Sequence, residues 1–323
     1  MISSDKRKFF DTLVVVGNGF DIAHGYDTLY KSFAEKIENP YLECFKSYCE
    51  KEQDINTWYL FEENIRILTG KLYEQNFVDG CDYDANRKEL EKLRKVFQEI
   101  HTLLISYLEN EISTKPIETK DSIKQIVDKN SVVFNFNYTP TVENYTENIW
   151  YIHGSLKEGD ILLGYDYRDE PCLAGYQDMC WSKSICRENL AFRRAIKSNS
   201  NTDTEKNNIL INSLELYQNY ANSGRGIDDE LENEISMFGE VHEIMEKVKA
   251  TPLPDILYED IQTIVVIGHG IEADKVYLTR ILEECNNLKK VVIFRYENES
   301  SVSFNEKCAF FYPFCENVEE VYY

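Results

Sequence analysis

Residues 13–33 read LVVVGNGFDIAHGYDTLYKSF, and this stretch decides the fold. Leu13-Val14-Val15-Val16 is an unbroken, mostly β-branched apolar run. Such runs form strands buried on both faces, as in the centre of a parallel sheet. A glycine turn follows, Gly17-Asn18-Gly19, then Phe20 and an acid, Asp21. After His24 and Gly25, either Asp27 or Thr28 can cap a helix running on from about Leu29. A strand, a glycine turn and a helix start together aim backbone N–H groups at an anion, and the helix end adds roughly half a positive charge. The alternative is a plain strand-to-helix connection whose glycines only satisfy φ.

Working outward, three more apolar runs end in polar or glycine-containing motifs. Ser131-Val132-Val133-Phe134 leads into Asn135-Phe136-Asn137-Tyr138-Thr139. Trp150-Tyr151-Ile152 ends at His153-Gly154. Thr263-Ile264-Val265-Val266-Ile267 meets Gly268-His269-Gly270. Val291–Phe294 reads as a further strand, Glu272–Cys285 as a helix, and Ala309–Tyr323 as an added edge strand. In an open parallel sheet, ligands bind at the carboxyl ends of the strands, so all four motifs are expected at one edge.

Between these units the pattern is helical. The clearest helix is Asn86 to Asn110, with Leu90, Leu93, Phe97, Ile100, Leu104 and Tyr107 stepping by three and four. This stripe suits an internal bundle, and an intermolecular coiled coil is the competing use. The expected fold is α/β, a Rossmann-like parallel sheet with two large helical insertions. Segments 10–34, 128–168 and 258–323 build one α/β domain, and the insertions span about 35–125 and 170–255.

The 323 residues carry a formal net charge of −22, which argues against a nucleic-acid partner, since such partners need a basic footprint. The basic clusters are small: Lys6-Arg7-Lys8, Arg87-Lys88, Arg193-Arg194 and Lys289-Lys290. Nine cysteines without a CxxC indicate reduced thiols rather than a disulfide framework, and no metal site. No segment approaches the roughly 20 apolar residues of a membrane span, and the N-terminal apolar run enters the glycine turn instead of a cleavage site. A soluble, cytoplasmic protein with no membrane partner is expected.

Chemistry concentrates on few residues. His153, followed by glycine at a strand end, is the leading candidate for a general acid or base, because imidazole titrates near neutral pH. Asn137 either satisfies a turn or positions a ligand. His24 and His269 suit loop positioning or ligand contact. Asp274 either stabilises the helix start after GHG or binds a ribose hydroxyl. Asp21 would repel a phosphate unless it faces away, caps a helix or holds a sugar hydroxyl.

The runs GNGFDIAHGYDTLY (17–30), FNYT (136–139), IHG (152–154) and GHGIEADKVY (268–277) resemble the bacterial AbiH family of phage abortive-infection proteins. The sequence departs from the family's usual pattern at Gly270, where Ser is expected, and at Tyr26-Asp27, where Leu-Pro is common. The resemblance implies defence against phage in which infected cells stop growing. More distantly, the motifs are similar to the sirtuin-like NAD-binding fold. That likeness implies Gly17 and Gly19 at a diphosphate, Asn137 at the nicotinamide ribose, His153 as catalytic base and Gly268 near the adenosine. Asn18, Phe20, His24, Thr139, Gly154, His269 and Asp274 complete the expected nucleotide-binding set. Two departures stand out: Thr139 replaces an acid, and Asp21 replaces a small hydroxyl residue. No four-cysteine zinc module is present, which argues against a protein deacetylase.

The function expected from these motifs is cleavage of NAD at the nicotinamide–ribose bond, with His153, Asn137 and Asp21 catalytic. A non-catalytic nucleotide sensor is the second reading. A nuclease holding Mg²⁺ on Asp166, Asp169 and Glu170 is the third. Expected partners are NAD or a related nucleotide, an activator of phage origin, and a second copy of the chain through the helical insertions.

Overall fold

In the computed structural model the described residues are 9–52, 58, parts of 61–68, 83–163, 253–254, 256–296 and 299–322. The strands in chain order are β1 (Thr12–Val16), β2 (Ser131–Asn135), β3 (Ile149–Tyr151), β4 (Gly154–Ser155), β5 (Asp160–Ile161), β6 (Thr263–Ile267), β7 (Lys290–Arg295) and β8 (Val318–Tyr322). Strands β4 and β5 form a small antiparallel hairpin. The other six make one parallel sheet in the order β3-β2-β1-β6-β7-β8. This is the strand order of doubly wound dinucleotide-binding folds, and the order reverses between β1 and β6.

The apolar runs are continuous because both faces of the sheet are covered. Leu13 and Val15 of β1 share a core with Ile264, Val266, Val291 and Ile293, under helices α6 (Lys275–Glu284) and α7 (Ser301–Phe311). Val14 and Val16 face the other way, with Val133, Val265 and Ile267, under Phe20 of α1 (Asn18–Ala23) and Ile123 of α5 (Asp121–Lys124). Alternation along one strand therefore feeds two separate cores.

A third core is helical. Phe33 of α2 (Tyr30–Lys36) and Phe45 of α3 (Pro40–Glu52) pack with Phe61, Ile65 and α4 (Tyr83–Ser113). Leu93, Phe97, Ile100, Leu104 and Tyr107 of α4 are all buried there. The expected stripe thus serves an internal bundle, on a helix three residues longer at each end than its pattern indicated.

Three local expectations need correction. The residues after Gly17 do not stay in a turn: they enter α1 at once, with Gly17 as its extended N-cap. Neither Asp27 nor Thr28 caps the following helix, which starts at Tyr30 behind Leu29 with no side-chain cap. Asp27 instead pairs with Lys36 at 2.9 Å, and the Thr28 hydroxyl bonds to Asn18 Oδ1. Among the described residues of the expected edge strand 309–323, only Val318–Tyr322 forms a strand, because Ala309–Phe311 end α7. That helix opens with a Ser300 cap accepting from Ser303 N–H, a signal in the sequence that the aromatic run obscured. Cys44, Cys49, Cys285, Cys308 and Cys315 are free thiols. Among the described residues no helix is long and apolar enough to cross a membrane. The second helical insertion, the Asp166–Glu170 loop and the remaining cysteines lie outside the described residues.

Candidate functional site

Because β1, β2, β3 and β6 are parallel, their carboxyl ends deliver Gly17, Asn137, His153 and Gly268 to the same edge of the sheet. A cavity of about 190 Å³ opens there, lined by residues from all four motifs. The sheet supplies its floor. Thr28, Tyr30, Glu62, Leu104 and Leu108 supply a wall from the helical bundle.

His153 follows β3, while Asp274 lies beyond β6, three strand positions away. At about 4.8 Å per strand that gap is about 14 Å. The loop after β6 closes it. Asp274 Oδ1 stands 2.9 Å from His153 Nε2, and Asp274 Oδ2 stands 3.4 Å from His269 Nε2. All three side chains are buried, and Phe136 meets both imidazole rings edge-on. Asp274 is the N-cap residue of α6 by backbone position, yet its side chain makes no cap. It is spent on the imidazoles.

The tautomer of His269 follows from its partners. Its Nδ1 accepts from Ile271 N–H at 2.9 Å, so a neutral ring carries its proton on Nε2, towards Asp274. The loop holds this geometry with a rare turn. Ile271 has φ 68° and ψ −56°, and Glu272 N–H bonds to Gly270 O at 2.9 Å across it. A γ-turn of this sign on a β-branched residue is strained, and strain of this kind gathers at functional sites.

Asp21 projects from α1 into the cavity and is 1% exposed. Its Oδ2 accepts from the Thr139 hydroxyl at 2.7 Å, and the Thr141 hydroxyl in turn donates to Thr139. Asp21 Oδ1 is buried and has no hydrogen-bond partner of its own among the described residues. Burial pushes the Asp21 carboxyl up from 3.8 to about 6, against the opposing pull of the two threonines. Asn135 shapes the loop that carries Thr139: its Oδ1 accepts from Asn137 N–H and its Nδ2 donates to Thr139 O. Asn137 then ties this loop to the glycine turn, donating from Nδ2 to Gly17 O at 3.0 Å.

The glycines serve a close approach of two loops. A Cβ on Gly17 would lie 2.5 Å from His269 Cα, one on Gly19 2.7 Å from Gly268 Cα, and one on Gly268 2.3 Å from Phe20 N. Three N–H groups of the expected anion cradle are taken by carbonyls. Gly17 N–H bonds to Ile267 O, Gly19 N–H to Gly268 O and Phe20 N–H to Gly17 O. The first glycine loop is the seat of the last one.

With this arrangement in place, comparison with known proteins becomes informative. A family model described as bacteriophage abortive infection AbiH matches residues 13–296. The chain belongs to the AbiH family. A role in phage abortive infection goes with that membership. No curated protein and no solved structure gives a significant match.

The departures from the usual AbiH pattern now have structural readings. At Gly270 a Cβ would meet nothing within 4 Å, so the expected Ser fits there as well. At Tyr26-Asp27, Tyr26 donates to Lys115 O and Asp27 N–H donates to Glu111 Oε1. A Leu-Pro pair makes neither bond. Here Glu111, held by Lys115 and Lys36, fastens the end of α4 to the loop beside the cavity.

Of the expected site residues, Gly17, Asn18, Asp21, Asn137, Thr139, His153, Gly268, His269 and Asp274 line the cavity. Gly19, Phe20, His24 and Gly154 do not. Phe20 is fully buried beneath the sheet. His24 is a strut, with Nδ1 2.7 Å from Phe20 O and Nε2 2.6 Å from the Tyr145 hydroxyl, and burial lowers its pKa. Gly154 opens β4 at φ 77°. The lining residues missed by sequence reasoning are Thr28, Tyr30, Glu62, Leu104, Leu108, Phe136, Tyr138, Gly270, Ile271 and Ala273. Tyr138 lies within the quoted NFNYT motif, but nothing local marks Leu104 or Leu108 as more than core.

Proposed function

We propose that this site hydrolyses the bond between nicotinamide and ribose in NAD, and that the loss of NAD arrests the infected cell. The pair His153–Asp274, 2.9 Å apart inside the cavity, is the observation that carries this reading. A carboxylate at Nε2 orients the ring and stabilises its protonated form, which makes His153 a base for water or a ribose hydroxyl. As the carbon–nitrogen bond breaks, its electron pair goes to the pyridinium nitrogen and neutral nicotinamide leaves. The ribose carbon becomes oxocarbenium-like. Asp21 Oδ1, buried and without a donor, faces the developing charge. Water adds to that carbon and gives its proton to His153. Asn137 sets the ribose wall by locking two loops together.

The test is the NAD content of phage-infected cells. NAD should fall with the wild-type chain and hold steady with His153→Ala, which should also lose protection. Protection that persists with NAD intact would overturn the reading.

A second reading is favoured by one specific observation, the wall contributed by Tyr30, Glu62, Leu104 and Leu108. A ligand there touches sheet and bundle together, as a sensor requires. Thermal stabilisation by NAD or ADP-ribose without turnover would favour it.

A further inference from the structure

The full charges described on the cavity lining are all negative. Asp21, Glu62 and Asp274 put three carboxylates on its lining, and no Lys or Arg is among the described lining residues. The glycine-turn N–H groups at 17, 19 and 20 are taken by carbonyls. Asp21 Oδ1 is buried, lacks a donor and belongs to the lining. A phosphate brings only acceptors and negative charge to such a place. A ribose diol, a carboxamide or a pyridinium brings donors or positive charge. Size agrees, since about 190 Å³ falls short of the roughly 300–1,000 Å³ that encloses a whole drug-sized ligand.

We infer that the cavity takes the donor-rich nucleoside end of its ligand, a ribosyl group on an uncharged or cationic base, with a ribose hydroxyl donating to Asp21 Oδ1 and every phosphate left outside. The inference deepens the glycosidic reading above and rests on it for the choice of a ribosyl group. It also reverses the usual division of labour in dinucleotide sites, where the first glycine turn meets the diphosphate. Here that turn meets another loop.

The test is calorimetric titration of the full chain with nicotinamide riboside, nicotinamide mononucleotide and inorganic phosphate. Riboside and mononucleotide should bind within about threefold of each other, and inorganic phosphate should not compete. Asp21→Asn should weaken both the riboside and the mononucleotide about tenfold, the usual loss for one charged hydrogen bond. Where Asp21→Asn fails to fold, Glu62→Gln on the helical wall reads the same contrast: the cationic riboside should weaken about threefold. A mononucleotide bound tenfold tighter than riboside, competition by phosphate, or no riboside binding each overturns the inference. Riboside bound but never cleaved overturns the glycosidic reading and supports this one. Cleavage of NAD with phosphate-dependent binding does the opposite.

Discussion

Asp274 Oδ1 lies 2.9 Å from Nε2 of His153, although the two residues follow strands at different positions across the sheet. The same carboxylate reaches His269 Nε2 at 3.4 Å. One acid thus holds two imidazoles whose loops have no local reason to meet. The proposed glycosidic chemistry relies on that bridge, so its removal is the first thing to measure.

Asp274→Asn keeps the shape of the side chain and removes its charge. Under the glycosidic reading, kcat for nicotinamide release should fall about 10²–10³-fold, with KM changed only a few-fold. The melting temperature should stay close to wild type. A kcat within threefold of wild type would show that His153 is not oriented by this carboxylate.

Asp21 should make stability fall as pH rises. Its folded-state pKa of about 6 stands above the unfolded 3.8, so the folded protein holds this proton more tightly. The contribution is intact below about pH 4 and is lost on passing pH 6, at a total cost of about 3 kcal/mol. Between pH 4.5 and 7 the loss is about 2 kcal/mol. Asp21→Asn should flatten that difference in denaturant titrations run at the two pH values. An unchanged pH dependence would mean that Asp21 is not the group responsible.

The glycine contacts predict a sharp contrast within one motif. Gly268 sits at φ 66° with Phe20 N only 2.3 Å from an added Cβ, whereas Gly270 has open space. Gly268→Ala should cost about 3 kcal/mol or more, because neither backbone can yield. Gly270→Ser should stay within about 0.5 kcal/mol of wild type. Chemical denaturation of the two variants checks both values.

Ile271 predicts an inversion of the usual ranking. Alanine normally outranks glycine, but a φ of 68° penalises any Cβ. Both substitutions lose the buried Ile side chain, so Ile271→Gly should be about 1 kcal/mol more stable than Ile271→Ala. The opposite order would show that the γ-turn relaxes once the side chain is gone.

Much of this protein was legible because burial on both faces writes a strong signal. Leu13–Val16 and Thr263–Ile267 sit in the middle of the sheet, flanked by strands, and their apolar runs leave no polar side to confuse the pattern. The α4 stripe was equally plain, since its buried residues recur at helical spacing. Less legible were the helix boundaries around Gly17 and Leu29. There, Gly19 N–H bonds to Gly268 O across two loops, and the Tyr107 hydroxyl holds Asp27 O ahead of α2, neither of them a contact that local sequence shows.

By itself, then, the sequence determined the parallel sheet, the four strand-end motifs and their meeting at one edge, because strand burial and chain direction are encoded locally. Only the tertiary structure decided that Asp274 serves His153 and His269 rather than its own helix. It alone decided that the glycine turn seats the loop after β6, and that Leu104 and Leu108 wall the cavity. The physical reason is reach. A side chain's partner depends on strand order and on how far a loop folds back across it, and neither is written in the spacing of nearby residues.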